Sequence, residues 1–357
     1  MTTTFQKHFK YKIIFITGAA GTVGKELTKQ LLKYKPSEIR LLDNNETEIF
    51  FLMEKYKNLP SVKCFLADIR DKDRLKRITK GVDIIFHTAA FKHVILSEHH
   101  PFDVIQTNIL ASQNIIEAAL EANVEKVIFT SSDKAVNPTN VMGASKLMCE
   151  KLITAANTLT YGNKTIFASV RFGNVIGSRG SVVPLFMQQI KKGGPVTVTD
   201  RRMTRFIMTI EQSAQLILKA LSLAKGGEVF VLKMPVVNVY DLAEVLIELL
   251  APRYGYNPSN IKIVEIGAKP GEKLYEELLN EEEKNRTIEL KDLFVILPAF
   301  RAIYQSIKYD YPDIISNKID KVYISANETP LTKGALKEYL LKNKVLERTE
   351  KSLYHGI

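Results

Sequence analysis

Two short stretches of the chain carry side chains able to move protons. After the apolar run Val127-Ile128-Phe129-Thr130 come Ser131-Ser132-Asp133-Lys134, and further on Met142-Gly143-Ala144-Ser145-Lys146. A hydroxyl, a carboxylate and an amine in succession at the end of a buried strand cost free energy unless they are used. Asp133 and Lys134 offer an acid and a base side by side, and Ser132 a hydroxyl that can relay a proton. Lys146, four residues after Met142, shares a helical face with it. A plainer reading is a solvated loop in which Asp133 caps the next helix. A third stretch, Gly18-Ala19-Ala20-Gly21-Thr22-Val23-Gly24, acts through its backbone. Its glycines permit a tight turn and let free N–H groups approach an anion at a helix start.

The elements that would position these groups follow from periodicity. Short β-branched runs predict strands at Lys12–Thr17, Ile39–Leu42, Val62–Leu66, Asp83–His87, Lys126–Thr130 and Thr165–Val170. Amphipathic stretches between them predict helices at Val23–Lys33, Arg74–Thr79, Val104–Ala122 and Ala144–Asn157. Such alternation predicts an α/β fold, a Rossmann-type doubly wound parallel sheet covered on both faces. The glycine turn then lies between the first strand and the first helix, and residues Gly18, Ala20, Gly21, Thr22, Val23 and Gly24 are candidates for holding a pyrophosphate. Asp43 ends the second strand, placed to accept from ribose hydroxyls, and no Arg follows it to pair with a 2′-phosphate, so NAD is favoured over NADP. Asp68 and Ile69, with Arg70, follow the third strand within reach of an adenine; the alternative for Asp68 is a helix N-cap.

A chain of 357 residues buries a large core. After Arg171, Gly and Pro punctuate the sequence more often, which predicts a smaller C-terminal substrate-binding lobe. The expected division is residues 1–171, with a returning segment at about 208–236 that carries a strand at Glu228–Leu232, against 172–207 and 237–357. The net charge of +11 invites an anionic partner. Its lysines are scattered and no aromatic-basic stripe appears, so a phosphate-bearing small molecule is expected rather than nucleic acid. Cys64 and Cys149 read as reduced core residues, and no metal site is assigned. No run of about 18 apolar residues and no signal-peptide pattern appear, so a cytoplasmic protein without a membrane span is expected.

The glycine spacing and His87-Thr88-Ala89-Ala90-Phe91-Lys92-His93-Val94 resemble the extended short-chain dehydrogenase/reductase superfamily. In that resemblance Ala89 and Ala90, with Lys92, lie along the cofactor, and Asn108 matches the family's helix Asn. The superfamily's Tyr-x-x-x-Lys pair has Lys146 in place, holding the ribose, but Met142 stands at the Tyr position. Met carries no proton, so the superfamily's usual acid/base step cannot run unchanged. Residues 131–146 together with 171–200, RRMTRF and KPGEKLYEELLNEEE are similar to the UDP-N-acetylglucosamine 4,6-dehydratases of the polysaccharide-biosynthesis group, several of which share the Met.

This resemblance implies oxidation at the sugar C4, loss of water across C5–C6 and return of hydride to C6. Lys134 would be the C5 base, kept neutral by desolvation or by the charge of Lys146. Asp133 would be the acid for the departing hydroxyl, Ser132 would contact the C4 hydroxyl, and NAD would stay bound. Lys92, His93, Asn174, Ser181, Val182, Arg205, Lys269 and Glu272 are the expected contacts of a UDP-sugar, with Lys273 as an alternative to Lys269. A homo-oligomer is expected. Two other readings stand beside it. A sugar-nucleotide epimerase would need the missing Tyr and has no use for a C5 base. A non-catalytic NAD-binding sensor has no need of Asp133 and Lys134. Retention or inversion at C5 stays open.

Overall fold

The computed structural model describes residues 2–159, 164–178, 180–267, 271–300 and 307–354. The expected early strands are present, each within a residue of its predicted ends: Ile13–Thr17 (β1), Glu38–Asp43 (β2), Val62–Leu66 (β3), Ile84–His87 (β4), Lys126–Thr130 (β5) and Ile166–Arg171 (β6). Later strands are Asn174–Val175 (β7), Val196–Val198 (β8), Thr204–Met208 (β9), Val229–Leu232 (β10), Val236–Asn238 (β11), Ile263–Glu265 (β12), Thr287–Leu290 (β13), Leu293–Ile296 (β14) and Ile314–Ser316 (β15).

The principal sheet runs β15-β13-β14-β10-β6-β5-β4-β1-β2-β3. From β3 to β10 every neighbour is parallel, and β14, β13 and β15 add antiparallel strands at the far edge. Strand order reverses between β1 and β4. Their carboxyl ends form the crevice where open α/β sheets bind nucleotides.

Helices are Thr2–Phe9 (α1), Thr22–Leu31 (α2), Glu46–Tyr56 (α3), Lys72–Thr79 (α4), Val94–His99 (α5), Pro101–Val104 (α6), Ala111–Glu121 (α7), Val141–Ala156 (α8), Val182–Lys191 (α9), Ile210–Leu223 (α10), Val239–Leu250 (α11), Glu281–Lys284 (α12), Lys333–Lys342 (α13) and Val345–Tyr354 (α14). The single helix predicted over Val104–Ala122 is not continuous: α6 passes into a π-helical stretch, Ile105–Leu110, before α7 begins. One core cluster joins Phe15, Ile85, Val127 and Phe167 of the sheet to Leu75, Ile115, Cys149 and Ile153 of the helices. At about 25 cal/mol per Å² of apolar surface, this burial is the main force holding the layers together.

The chain divides into two compact units, residues 1–172, 214–233 and 279–322 forming the first, and residues 173–213, 234–278 and 323–357 the second. This corrects the expected division at two places. The returning segment begins at 214 instead of about 208, and residues 279–322, expected in the lobe, belong to the first unit. Their strands lacked the parallel-sheet texture because β13 and β14 pair antiparallel with β10 and with each other. The second unit has its own core of Val183, Phe186, Ile190, Val196, Leu242, Leu246, Leu336 and Leu340. It contains the small sheets β11-β9-β7 and β12-β8.

Candidate active site

The glycine turn follows β1 directly. Gly18 has φ +66°, and a methyl group there would lie 2.7 Å from the Ala89 Cα, so only glycine fits beside that backbone. At Gly24 a methyl would lie 2.5 Å from the Gly18 carbonyl oxygen and 2.6 Å from the Ala19 Cα, so the first turn of α2 packs directly on the loop. Gly21 is the N-cap of α2 and brings no capping side chain, and the first turn, with Thr22 and Val23, carries no acidic residue. An anion is the natural complement of such a terminus. Asp43 accepts from the Ala20 amide at 3.0 Å and from the Asn45 amide at 3.1 Å, tying the turn to the end of β2. These residues fit a dinucleotide: a cradle that side chains would fill, a helix N-terminus and a carboxylate beside it.

Asp68 is engaged by Arg70, accepting its backbone amide at 2.8 Å and pairing with its guanidinium at 2.7 Å, which holds the Asp68 carboxyl below its usual range. The N-cap of α4 is Asp71, which accepts from the Arg74 amide at 2.8 Å, so the capping role considered for Asp68 falls three residues later. Ile69 is buried, Ala89 and Ala90 are half-buried, and Lys92 and His93 are exposed. His93 is the N-cap of α5 without a side-chain bond, its carbonyl accepting from Ser97 Oγ at 2.8 Å.

At the end of β5 the chain makes a single 3-10 turn over Asp133–Ala135. Ser132 Oγ donates to Asp133 Oδ1 at 2.6 Å and accepts from the Lys134 amide at 3.3 Å. Lys134 Nζ lies 2.9 Å from Asp133 Oδ2 and 3.2 Å from Oδ1. Asp133 is 4% exposed, whereas the Lys134 side chain is 32% exposed. Asp133 does not cap the next helix; Asn140 caps α8, accepting from the Gly143 amide at 2.8 Å.

Met142 and Lys146 are both buried on α8, one turn apart. Lys146 Nζ donates to the Thr130 carbonyl at 2.9 Å and sits 4.7 Å from the centre of the Phe129 ring. Burial lowers its pKa to about 8. The ammonium is thus directed at β5, while Lys134 has the Asp133 carboxylate as its near partner, which favours a charged amine and opposes the expected neutral form.

Asn108 lies in the π-helical stretch. Its amide donates to Ser145 Oγ at 2.8 Å and accepts from the Phe91 amide at 2.8 Å. The widened helix directs the Asn108 carbonyl away from the regular ladder, and Cys149 Sγ donates to it at 3.1 Å.

Several participants escaped the sequence reading. His87 is fully buried between Thr17 Oγ1 at 2.7 Å and Ser112 Oγ at 3.1 Å, and burial lowers its pKa to about 3. Gly143 is required because any side chain there would overlap the Lys134 carbonyl oxygen. Glu150, on the buried face of α8, has its burial signalled in the sequence only by the three apolar residues Leu147-Met148-Cys149 that separate it from Lys146. His87 offered no such signal, because a strand-end His is usually structural.

In the second unit, Asn174 Nδ2 donates to Glu276 Oε1 at 2.7 Å and to the Phe206 carbonyl at 3.1 Å. The Arg205 guanidinium is spent on protein: the carbonyls of Thr204 and Lys273 at 2.8 Å each, and Glu276 at 3.3 Å. Glu272 lies 3.6 Å from Arg205. Glu276, 5% exposed and not singled out in the sequence, is the carboxylate that organises Asn174 and Arg205. Arg205 is therefore built as a clamp on the segment Lys273–Glu276 rather than as an open anion fork. Lys273 pairs with Glu277 at 2.6 Å. Ser181 is the N-cap of α9, with its Oγ buried and without a hydrogen-bond partner, and Val182 opens the helix. Lys269 lies outside the described residues.

A family model described as polysaccharide biosynthesis protein matches residues 14–298. The chain is 56% identical over 290 residues to a protein of Methanocaldococcus jannaschii named an uncharacterized membrane protein, covering 81% of this chain and 87% of that one. Among the described residues here, no helix is long and apolar enough to cross a membrane. It is 39% identical over 297 residues to the UDP-N-acetylglucosamine 4,6-dehydratase (inverting) of Campylobacter jejuni, covering 83% of this chain and 85% of the relative. A Rickettsia massiliae protein named UDP-glucose 4-epimerase is 38% identical, covering 81% and 83%. The chain spans about half of some longer relatives, such as 46% of a Staphylococcus aureus capsular polysaccharide biosynthesis protein. The X-ray structure of Pen from Bacillus thuringiensis superposes with a TM-score of 0.87 at 42% identity, covering 94% of this chain and 99% of that one.

Proposed function

The chain belongs to the polysaccharide biosynthesis protein family, and from that premise we propose that it is an NAD-dependent sugar-nucleotide 4,6-dehydratase acting on UDP-N-acetylglucosamine. The observation that carries the reading is the Asp133–Lys134 pair, a buried carboxyl and a half-exposed amine 2.9 Å apart, beside a buried Met142 that cannot exchange protons. NAD, held by the Gly18–Gly24 turn, Asp43 and Lys146, would accept the C4 hydride and give it back at C6.

The chain's own residues then account for the protons. A proton leaving the C4 hydroxyl through Ser132 Oγ arrives on Asp133 Oδ1, 2.6 Å away, and makes Asp133 the acid that the departing C6 hydroxyl needs. Lys134, in contact with solvent, sheds one proton and becomes the base for C5, whose proton the neighbouring C4 ketone has acidified. After elimination the pair is again a carboxylate and an ammonium; Lys134 then returns a proton to C5 and regains from solvent the one it shed before elimination. The C4 hydroxyl proton leaves in water with the C6 oxygen, so no net proton is consumed. Ser181 and Val182 at the start of α9, with Asn174, are proposed to receive the diphosphate.

A second reading, 4-epimerisation, is favoured by the Rickettsia relative's name. It leaves Lys134 without a task and asks Met142 for a proton it does not have. Incubation with UDP-N-acetylglucosamine in heavy water, followed by proton NMR, separates the two. The dehydratase yields a 6-deoxy-4-keto sugar carrying deuterium at C5. A product that keeps its C6 hydroxyl, with C4 inverted, would replace this reading with the epimerase.

A further inference from the structure

Helices α13 and α14 lie beyond residue 298, where the family match ends, and no step of the proposed chemistry uses them. Inside the second unit they pack on the segment that carries Asn174 and Ser181. Val345 and Leu346 of α14 share one core with Ile176, on one side of that segment, and with Val183, Phe186 and Ile190 of α9 on the other. Between these anchors the contact narrows to backbone. Gly177 has φ +75°, and a methyl group on it would lie 2.6 Å from Thr349 Oγ1 and 3.4 Å from Val345 Cγ1. Thr349 is fully buried, and its Oγ1 donates to the Val345 carbonyl one turn back at 2.8 Å. A β-branched side chain with its hydroxyl tethered in this way has little freedom to turn aside. It forms a fixed stop for the Gly177 backbone.

We propose that Thr349 is a positioning residue for the diphosphate subsite: through Gly177, α14 sets where Asn174 and the N-cap Ser181 present their polar groups to a nucleoside diphosphate. The path from Gly177 to both is short. The Ser178 amide donates to the Val175 carbonyl, next to Asn174, at 3.2 Å, and the Ser181 amide donates to the Ser178 carbonyl at 3.1 Å. Ser181 Oγ, buried and without a hydrogen-bond partner, lacks what a phosphate oxygen would supply. The terminal helices are themselves held from the other side. Arg348 pairs with Glu211 at the start of α10, and the Tyr339 hydroxyl of α13 donates to Gln212 Oε1 at 3.1 Å. Gln212 Oε1 also accepts from the Thr209 amide at 2.8 Å, and Thr209 follows β9, the strand that pairs with β7. α14 is thus braced on the same small sheet that carries Asn174. Close-packed groups of this kind pass a shift on instead of absorbing it.

The inference rests on the proposed diphosphate contact, and its test uses UDP alone, so whether the enzyme dehydrates or epimerises does not enter. Calorimetric titration of the full chain with UDP gives the affinity, and a melting curve of each variant gives its stability. A wild type that does not bind UDP would remove the diphosphate contact and this inference with it. With wild-type binding in hand, Gly177→Ala should weaken UDP about tenfold, the low end of the worth of one hydrogen bond to a charged group. Thr349→Ala should weaken it by less, and Thr349→Ser, which keeps the hydroxyl, by less again. The double variant, in which the new methyl takes the space that Thr349 vacates, should bind UDP more tightly than Gly177→Ala. A lower melting temperature in Gly177→Ala with unchanged UDP affinity would make α14 a structural prop and overturn the proposal. A double variant no better than Gly177→Ala would overturn it as well. Should Gly177→Ala fail to fold, Thr349→Ala decides, and an unchanged UDP affinity there counts against the proposal.

Discussion

One proton on the 2.9 Å line between Lys134 Nζ and Asp133 Oδ2 separates an ion pair from a neutral amine beside a carboxylic acid. The proposed chemistry needs the second form during elimination, and the first is restored once Lys134, having protonated C5, takes a proton back from solvent. Lys134→Ala should stop the reaction after C4 oxidation. In a single turnover it should accumulate reduced cofactor absorbance and a 4-keto sugar with no deuterium at C5. Elimination at the wild-type rate in that variant would remove Lys134 from its role. His87 acts differently, through stability. Its pKa is about 3 in the folded chain against 6.5 when unfolded. Between those values the unfolded chain binds a proton that the folded one refuses. Stability is therefore full above pH 6.5 and falls as pH drops toward 3, by up to about 5 kcal/mol. Urea unfolding from pH 7 to 4 should show a shallower acid loss in His87→Gln than in the wild type.

At the scale of elements, α8 is the part that must be placed accurately. Gly143 lets its first turn approach the Lys134 carbonyl, and Lys146 fixes it to β5 through Thr130. The π-helical stretch before α7 turns Asn108 toward Ser145 on α8. Periodicity alone read that region as one continuous helix, because a π-helical stretch keeps the apolar pattern almost unchanged while shifting the register by a residue. Gly143→Ala forces α8 and the Asp133–Ala135 turn apart. Turnover should fall by about 100-fold, the usual cost of a misplacement near 1 Å, with a much smaller change in melting temperature. Activity within a few fold of wild type would show that the close approach is not needed for catalysis.

For the whole molecule, the triad Arg171–Glu150–Glu283 joins β6, α8 and α12, and so ties a segment from late in the chain to the first unit. Arg171→Met removes the partner of the buried Glu150 carboxylate and leaves Glu283 with the Asn280 amide and the more distant Arg286, and should cost about 3–5 kcal/mol in urea unfolding. Replacing all three residues with apolar ones should recover most of that loss. From sequence alone, local rules determined the alternation of strands and helices, the glycine turn with Asp43, and the cluster of Ser132, Asp133 and Lys134. Each of these depends on neighbours within a few residues, where periodicity, backbone freedom and the cost of burying charge act directly. The return of residues 279–322 to the sheet, the protein partners that occupy Arg205, the neutral His87 and the clamp on Glu150 depend on residues far apart in sequence. Only the tertiary structure could decide them, because a buried charge or an antiparallel edge strand is defined by what packs against it.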